Sequence, residues 1–510
     1  MADAPKTPAP AEETDQAAVR LDKLRKLEAL GVDPWGQRFD GRMPIGDIRK
    51  LDPKPFDDAN PQGPRVIAAG RVVRHRTGGK LHFLELWDQT GRIQLMVRVN
   101  KVSELDWKVL NLLDLGDLVG VSGEFGKTKT GELTIQVDKL TFLTKSLEPH
   151  PKDVFGLGDT EYRLRHRYLD MIYTPDTLRR IQQRVKIVRT IRNHLDAQGY
   201  VEVETPTLHA IAGGAAARPF ATHHNALGLD LFVRIALELP LKRLLVGGLE
   251  KVYEIGRVFR NEGISPRHNP EFTMLELYCA YGDLFSIMDL TEGVFAACVE
   301  ALGLGMVLPY GERRIDFAGP WPRVLYADLF RGAVGVDLFD EAGVKVQAAA
   351  NGLHLELRDA KAGTSTPKQH EVLVQELFEH LCEPKIAESD KPTFVYEYPA
   401  ALCPLTKRKR SDPRLAERFE LYIAGMELAN AYTELNDPIT QEATFRQQLA
   451  GMTDEESMAK MDDDFVRALR HGMPPAGGLG IGVDRLVMLL TDTTTIRDVI
   501  LFPLLRPEKT

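Results

Sequence analysis

Phe259-Arg260-Asn261-Glu262 is followed at short intervals by Arg267-His268-Asn269, Phe272 and Glu276-Leu277-Tyr278. An arginine and a glutamate on one strand, a basic loop, then an aromatic and an acid on a returning strand make the outline of an ATP pocket. Arg260 suits the α-phosphate, Phe272 suits stacking on adenine, and Glu276 suits a cationic substrate group.

Two further stretches carry chemistry. Phe419-Glu420-Leu421-Tyr422-Ile423 turns at Ala424-Gly425 and returns as Met426-Glu427-Leu428-Ala429. A two-residue turn pairs Tyr422 with Glu427 and leaves Glu420 diagonal to it. Such carboxylates either share a hard cation such as Mg²⁺ or alternate on a wet sheet face. The next polar residues, Asn430, Tyr432 and Glu434, have the opposite strand parity to Glu427, so a common cavity requires a β-bulge near Leu428-Ala429. Gly477-Gly478-Leu479-Gly480-Ile481-Gly482 lets backbone approach a nucleotide, and a helix from about Val483 presents Arg485 in its first turn. A planar guanidinium such as that of Arg485 suits both covering adenine opposite Phe272 and pairing with a γ-phosphate. The small-residue loop Gly213-Gly214-Ala215-Ala216-Ala217 likewise lets backbone amides approach a ligand.

The elements that position these residues read as follows. Ile181, Val185, Val188, Ile191 and Leu195 form a helical stripe, Gly199 ends the helix, and Tyr200–Thr205 is a strand closed by Pro206. From Tyr162 onward helices alternate with mostly antiparallel strands, an α+β pattern. Upstream, short Gly-punctuated strands at 66–73, 81–87, 92–97, 118–124 and 133–137, with a helical insert near Val102–Leu113, predict an OB-fold β-barrel. Its Arg71, Arg74, His75, Arg76, Lys80, Arg92 and Arg98 suit a groove for a single strand of nucleic acid. The predicted organisation is a disordered tail at 1–17, a helical appendage at 18–64, the barrel at 65–145, a linker at 146–160 and a catalytic domain at 161–510. On the appendage helix, Arg20, Lys23, Arg25 and Lys26 make either an RNA contact or an ordinary solvated face.

Composition narrows the class. A chain of 510 residues, 27% charged and 43% hydrophobic, is long enough for two or three domains. The net charge of -8 argues against wholesale coating of nucleic acid, so RNA contacts require local basic patches. Cys279, Cys298, Cys382 and Cys403 are far apart, with no zinc-ribbon spacing. With no signal pattern and no long apolar run, a cytoplasmic location without membrane contact is expected.

The stretch Arg260-Asn261-Glu262 through Glu276-Leu277-Tyr278 resembles motif 2 of class II aminoacyl-tRNA synthetases and, more narrowly, the lysyl-tRNA synthetases of bacterial type. The helix, strand and Pro206 resemble motif 1, which in the family builds the dimer interface, and Gly477–Leu486 resembles motif 3. The resemblance implies an OB barrel followed by a catalytic domain with a central antiparallel sheet flanked by helices. It implies Arg260, His268 and Arg485 as catalytic residues, with Glu262, Asn269 and Phe272 joining them around ATP. For the amino acid it implies Gly214, Glu238, Arg260, Glu276, Tyr278, Asn430, Tyr432 and Glu434, with Glu238 on the α-amino group. Glu420 and Glu427 become ligands of Mg²⁺, and Phe83, Gln94 and Arg76 become readers of a tRNA anticodon. The run Arg74-His75-Arg76 departs from the family pattern by carrying a histidine where arginine is expected. The implied partners are L-lysine, ATP, tRNA(Lys) and a second copy of the chain. Two carboxylates, Glu276 and Glu434, with no arginine between them give a physical reason for lysine over aspartate. An aspartate- or asparagine-type ligase and a catalytically inactive RNA-binding paralogue are the alternatives.

Overall fold

The computed structural model describes residues 10–57, 63–149, 158–211, 213–215, 217–359, 364–450 and 461–508. It comprises two compact units, Met1–Gly158 and Asp159–Thr510.

In the first unit, five long strands (Arg65–Gly78, Leu81–Asp88, Gly91–Arg98, Leu118–Lys127 and Leu133–Thr144) close into a barrel, because the last two pair with each other. Alternation sets its inside: along Leu81–Asp88, His82, Leu84 and Leu86 are buried and their neighbours are not. Leu84, Leu86, Ile93, Leu95, Val121, Ile135 and Val137 belong to the same core. The helix Glu104–Leu112 starts where Ser103 Oγ accepts the amide of Asp106 at 3.0 Å.

The N-terminal helix runs Pro10–Ala29 and so begins inside the stretch expected to be a disordered tail. Proline suits a first helical turn, and the Ala- and Glu-rich residues after it favour helix. Residues 1–9 of that expected tail lie outside the described residues, as do 150–157 of the expected linker. Of the four basic residues on this helix, Arg25 and Lys26 are exposed as expected, and Arg20 and Lys23 are not. Arg20 is buried and donates to the carbonyls of Leu115 and Ser146, and Lys23 pairs with Asp114 at 2.6 Å. Leu27 belongs to the barrel core, so this helix is part of that unit and no loose appendage.

The second unit is built on an eight-stranded sheet in the order Arg323–Leu325, Thr393–Pro399, Leu415–Ile423, Met426–Thr433, Ala476–Gly482, Glu271–Ala280, Lys251–Phe259, Val201–Glu202. The six central strands pair antiparallel, and only the short outer strands are parallel to their neighbours. Helices Pro175–Ala197, Leu284–Leu302 and Val483–Leu490 share one large apolar core with this sheet. Leu284–Leu302 opens with a reciprocal Asp283–Ser286 capping box. Helices Tyr326–Val334, Glu341–Ala350 and His370–Leu377 enclose a separate core around Tyr326, Phe330 and Phe378. No helix among the described residues is long and apolar enough to cross a membrane.

Candidate active site

The hairpin and the glycine strand assemble the site. Ile423 pairs with Met426 around Ala424 and Gly425, both at positive φ, which is the backbone of a tight two-residue turn. Tyr422 pairs with Glu427, but Leu421 pairs with Ala429, so Leu428 is the extra residue of a bulge. That bulge brings Glu427 and Asn430, of opposite parity in sequence, to line the same cleft. Beyond it the register forms a transverse row, Glu420, Asn430, Gly480, Glu276, and a second row, Tyr432, Gly478, Tyr278. Cross-strand partners share a face, so these side chains converge over the glycines. A Cβ on Gly478 would collide with the Glu434 carboxylate and the Tyr278 ring, so glycine there keeps the floor open.

The cleft above the first row encloses about 320 Å³ and is lined by Arg260, Glu262, Arg267, His268, Asn269, Phe272, Glu427, Asn430 and Arg485. The Arg260 guanidinium lies 5.2 Å from the Phe272 ring centre. Arg485 donates to the Glu427 carbonyl at 2.8 Å and to His268 Nε2 at 3.0 Å. Asn269 is buried, and its amide donates to the Glu271 carbonyl at 2.6 Å, fixing the loop to the returning strand. Asp484 is a positioning residue that the sequence reading did not single out. It accepts from the amide of Thr273 at 2.6 Å and from Arg184 at 2.5 Å, locking the helix of Arg485 to the Phe272 strand.

The second row leads to a buried acidic cluster. Glu276 accepts from the amide of Leu237 at 2.9 Å and from Tyr278 at 3.1 Å, and Tyr432 donates to Glu238 at 2.8 Å. Glu238 begins the helix Glu238–Val246, where Gly214 approaches: a Cβ on Gly214 would sit 3.1 Å from that of Ala236 and 3.6 Å from that of Glu238. Gly214 has φ +88°, which favours glycine. Ala212 and Ala216 of the same loop lie outside the described residues. Burial, and then Glu238, push the Glu276 carboxyl up to about 7. Burial pushes Glu434 to about 8 even though Lys242 pulls the other way.

Beside the two carboxylates expected to meet a substrate cation, the structure places a cation of the chain's own, Lys242. Its ammonium meets Glu238 Oε1 at 2.5 Å and also contacts Glu434, from which it is screened by no water-accessible surface. At four residues after Glu238 it has the spacing of a surface helix pair, so nothing in the sequence marked it as internal.

The Glu420–Glu427 pair is asymmetric. Arg418 and Tyr398 hold Glu420, with Tyr422 donating to it at 2.5 Å, while Glu427 lines the open cleft. Although partly exposed to solvent, Glu427 is pushed up to about 7 by the surrounding protein mass and then by Glu420. Two acids that repel each other beside a phosphate-sized cleft suit a hard divalent cation. Among the described residues no cluster of three or more metal-ligating side chains occurs, so any such ion draws its remaining ligands from substrate or water. Arg418 also donates to Asn430 at 3.1 Å, a role that its strand parity with Glu420 would have signalled.

In the barrel, Phe83 pairs across the strands with Arg76, and Gln94 pairs with Glu85. Phe83, Gln94 and Arg76 line one groove of about 410 Å³ with Arg49, Arg74, Glu85 and Arg92. Phe83 lies outside the barrel core, half-buried on the outer face of its strand. His75 faces His82 at 3.0 Å, and burial with the neighbouring His82 lowers its pKa to about 4.

Comparison with known proteins agrees with this architecture. Residues 159–506 match the tRNA synthetases class II (D, K and N), and residues 66–143 match the OB-fold nucleic acid binding domain of anticodon-recognition type. The lysine–tRNA ligase of Moorella thermoacetica is 48% identical over 499 residues, covering 98% of this chain and 99% of its own. That of Staphylococcus saprophyticus is 48% identical over 505 residues, covering 98% and 99%, and that of Thermoanaerobacter pseudethanolicus is 46% identical over 494, covering 96% of each. The chain belongs to the class II tRNA synthetases, in the lysine–tRNA ligase family.

Proposed function

We propose that this chain activates L-lysine with ATP and transfers it to the 3′ end of tRNA(Lys). The observation that carries the reading is the buried Glu238–Glu276–Glu434 cluster one strand row away from the cleft of Arg260, Phe272 and Arg485. A lysine carboxylate oxygen attacks the α-phosphorus, the bond to the β-phosphate oxygen breaks, and lysyl-adenylate and pyrophosphate form. A terminal ribose hydroxyl of tRNA then attacks the activated carbonyl, and AMP leaves. No covalent enzyme intermediate is needed, so positioning and charge neutralisation dominate.

In this reading Arg260 bridges the lysine carboxylate and the α-phosphate, Phe272 and Arg485 sandwich adenine, and His268, Glu262 and Asn269 complete the nucleotide cleft. Gly214 and Glu238 receive the α-amino group, and Tyr278, Asn430, Tyr432, Glu276 and Glu434 shape the rest of the lysine pocket. Glu420 and Glu427 would hold Mg²⁺, which when bound offsets phosphate charge. Phe83, Gln94 and Arg76 take the anticodon, the aromatic ring by stacking and the others at base edges or phosphate. The assembly is an isologous homodimer working in the cytoplasm.

ATP–pyrophosphate exchange supported by each amino acid in turn tests the reading. Lysine should support exchange, and aspartate and asparagine should not. Exchange with aspartate, or none with any amino acid, would replace it with one of the two alternatives.

A further inference from the structure

Lys242 is fully buried beside Glu238 and Glu434, and the Glu276 carboxyl acts electrostatically on both of those acids. Its ammonium joins Glu238 and Glu434, and the rings of Tyr432 and Tyr278 stand 5.6 and 6.0 Å away. Burial opposes its charge, but Glu238 and Glu434 outweigh burial and raise its pKa, so it stays an ammonium ion. Tying two acids together does not by itself explain such a group. A buried ion pair is replaced by apolar side chains at little or no cost to stability, so the fold alone gives no reason for it.

Two observations point to the substrate instead. Lys242 meets one oxygen of Glu434, and the other, Oε1, has no hydrogen-bond partner, so an acceptor is left for a cation from outside the protein. If all three ionise, Glu238, Glu276 and Glu434 against one ammonium carry two unbalanced negative charges, and burial with the neighbouring carboxyls holds Glu276 and Glu434 above the usual carboxylate range until a cation arrives. Lysine brings two ammonium groups, and its carboxylate falls to Arg260.

We propose that Lys242 is a specificity-determining positioning residue: a built-in ammonium that ties the α-amino end of the pocket to its far end and leaves it short of two positive charges, the number carried by lysine. The inference rests on the reading that this pocket takes lysine. With Lys242 the pocket rejects a substrate bearing a single ammonium, because a carboxylate would then stay buried and unpaired. Without Lys242 one more carboxylate must find a proton before lysine binds.

The test measures KM for lysine and for ATP by pyrophosphate exchange across roughly pH 6 to 9, the range over which the raised carboxyls titrate. The groups facing Lys242 in that range are Glu238 on its own helix, Glu276 and Tyr278 on one strand, Tyr432 and Glu434 from another, and Arg260 acting on Glu276. Lys242→Met should raise the lysine KM about tenfold or more, leave the ATP KM within about twofold, and move the acid limb of the lysine profile to higher pH. Lys242→Gln should act in the same direction. An unchanged lysine KM with an unshifted profile overturns the proposal, as does an equal rise for lysine and ATP. If neither variant folds by thermal melting, Lys242 is a requirement of the fold and the proposal falls. Glu434→Gln separates this inference from the reading beneath it. If that variant leaves lysine KM unchanged, the pocket itself is misassigned; if it raises KM while both Lys242 variants do not, only the role of Lys242 is lost.

Discussion

Arg485 Nη2 stands 3.0 Å from His268 Nε2, which fixes the protonation of the histidine. A guanidinium only donates, so Nε2 must accept, and the ring proton sits on Nδ1, 2.8 Å from Ser265 Oγ. Burial, and then Arg485, lower the pKa of His268 and keep it neutral. The lowered pKa gives the sign: the bond is present above it and is lost as pH falls through it, when two cations would face each other. We expect His268→Ala to lower the rate of lysine activation by roughly 10- to 150-fold, the equivalent of about 1.5–3 kcal/mol for a hydrogen bond to a charged group. His268→Gln keeps an acceptor and should recover part of the loss. Exchange at the wild-type rate in His268→Ala would show that the contact is incidental.

Glu434 tests the amino-acid pocket. Its carboxylate is fully buried beside Gly478 and Tyr278 and pairs with Lys242. Glu434→Gln keeps the shape and removes the charge, so lysine affinity should fall roughly 10- to 150-fold, from a charge-assisted bond of about 1.5–3 kcal/mol. ATP affinity should hardly change. Equal losses for both substrates in steady-state exchange would mean that the residue supports the sheet and does not choose the substrate.

Local signals in the chain reached far into this site. The two-residue turn at Ala424-Gly425, the pairing of Tyr422 with Glu427 and the bulge next to Leu428 all follow from strand parity, which is a local rule. The closed barrel follows from five alternating strands. What escaped were residues whose meaning depends on contacts across the fold. Lys242 looks like a surface pair with Glu238 until the strand carrying Glu434 packs beside it. Arg20 looks solvated until it reaches the carbonyls of Leu115 and Ser146, far along the chain. Periodicity reports which face of an element is apolar, but not which cation a distant carboxylate will claim.

Glu427 links metal affinity to pH. Its carboxyl, pushed up to about 7 by burial and then by Glu420, takes up a proton below that value, and a cation binds the ionised form. The apparent Mg²⁺ requirement should therefore rise as pH falls below about 7, up to about tenfold per pH unit for one displaced proton. Glu427→Gln should remove that dependence while weakening the response to Mg²⁺. Titration of exchange activity with Mg²⁺ at several pH values checks this. A requirement independent of pH in the wild-type protein would take Glu427 out of the metal site.

The barrel groove separates recognition from chemistry. Phe83 lines it together with Arg76 and Gln94. Phe83→Ala should weaken tRNA charging by about 1–3 kcal/mol, the value of one base stacked on an aromatic ring. Lysine activation measured without tRNA should stay near wild type. Collapse of both activities would mean that Phe83 holds the barrel together.

Assembly provides the last test. The strand Val201–Glu202 is the edge of the eight-stranded sheet, and Val201 is 50% exposed. Val185, on the helix before it, is 54% exposed, and Leu208 and Leu229 nearby along the chain are exposed as well. The helical stripe is therefore divided: Ile191 and Leu195 are buried in the core of their own chain, while Val185 faces outward. Bare edges and apolar side chains of this kind are liabilities unless something covers them. A second copy related by a two-fold axis would do so and would brace the neighbouring strands, one ending next to Arg260 and the other carrying Phe272. We expect an isologous dimer burying more than about 2,000 Å², the size of an obligate interface. Val201→Asp together with Leu208→Asp should weaken it, with loss of lysine activation that is restored by raising protein concentration. Sedimentation at micromolar concentration reads the assembly directly. A wild-type monomer that activates lysine at full rate would show that this face needs no partner.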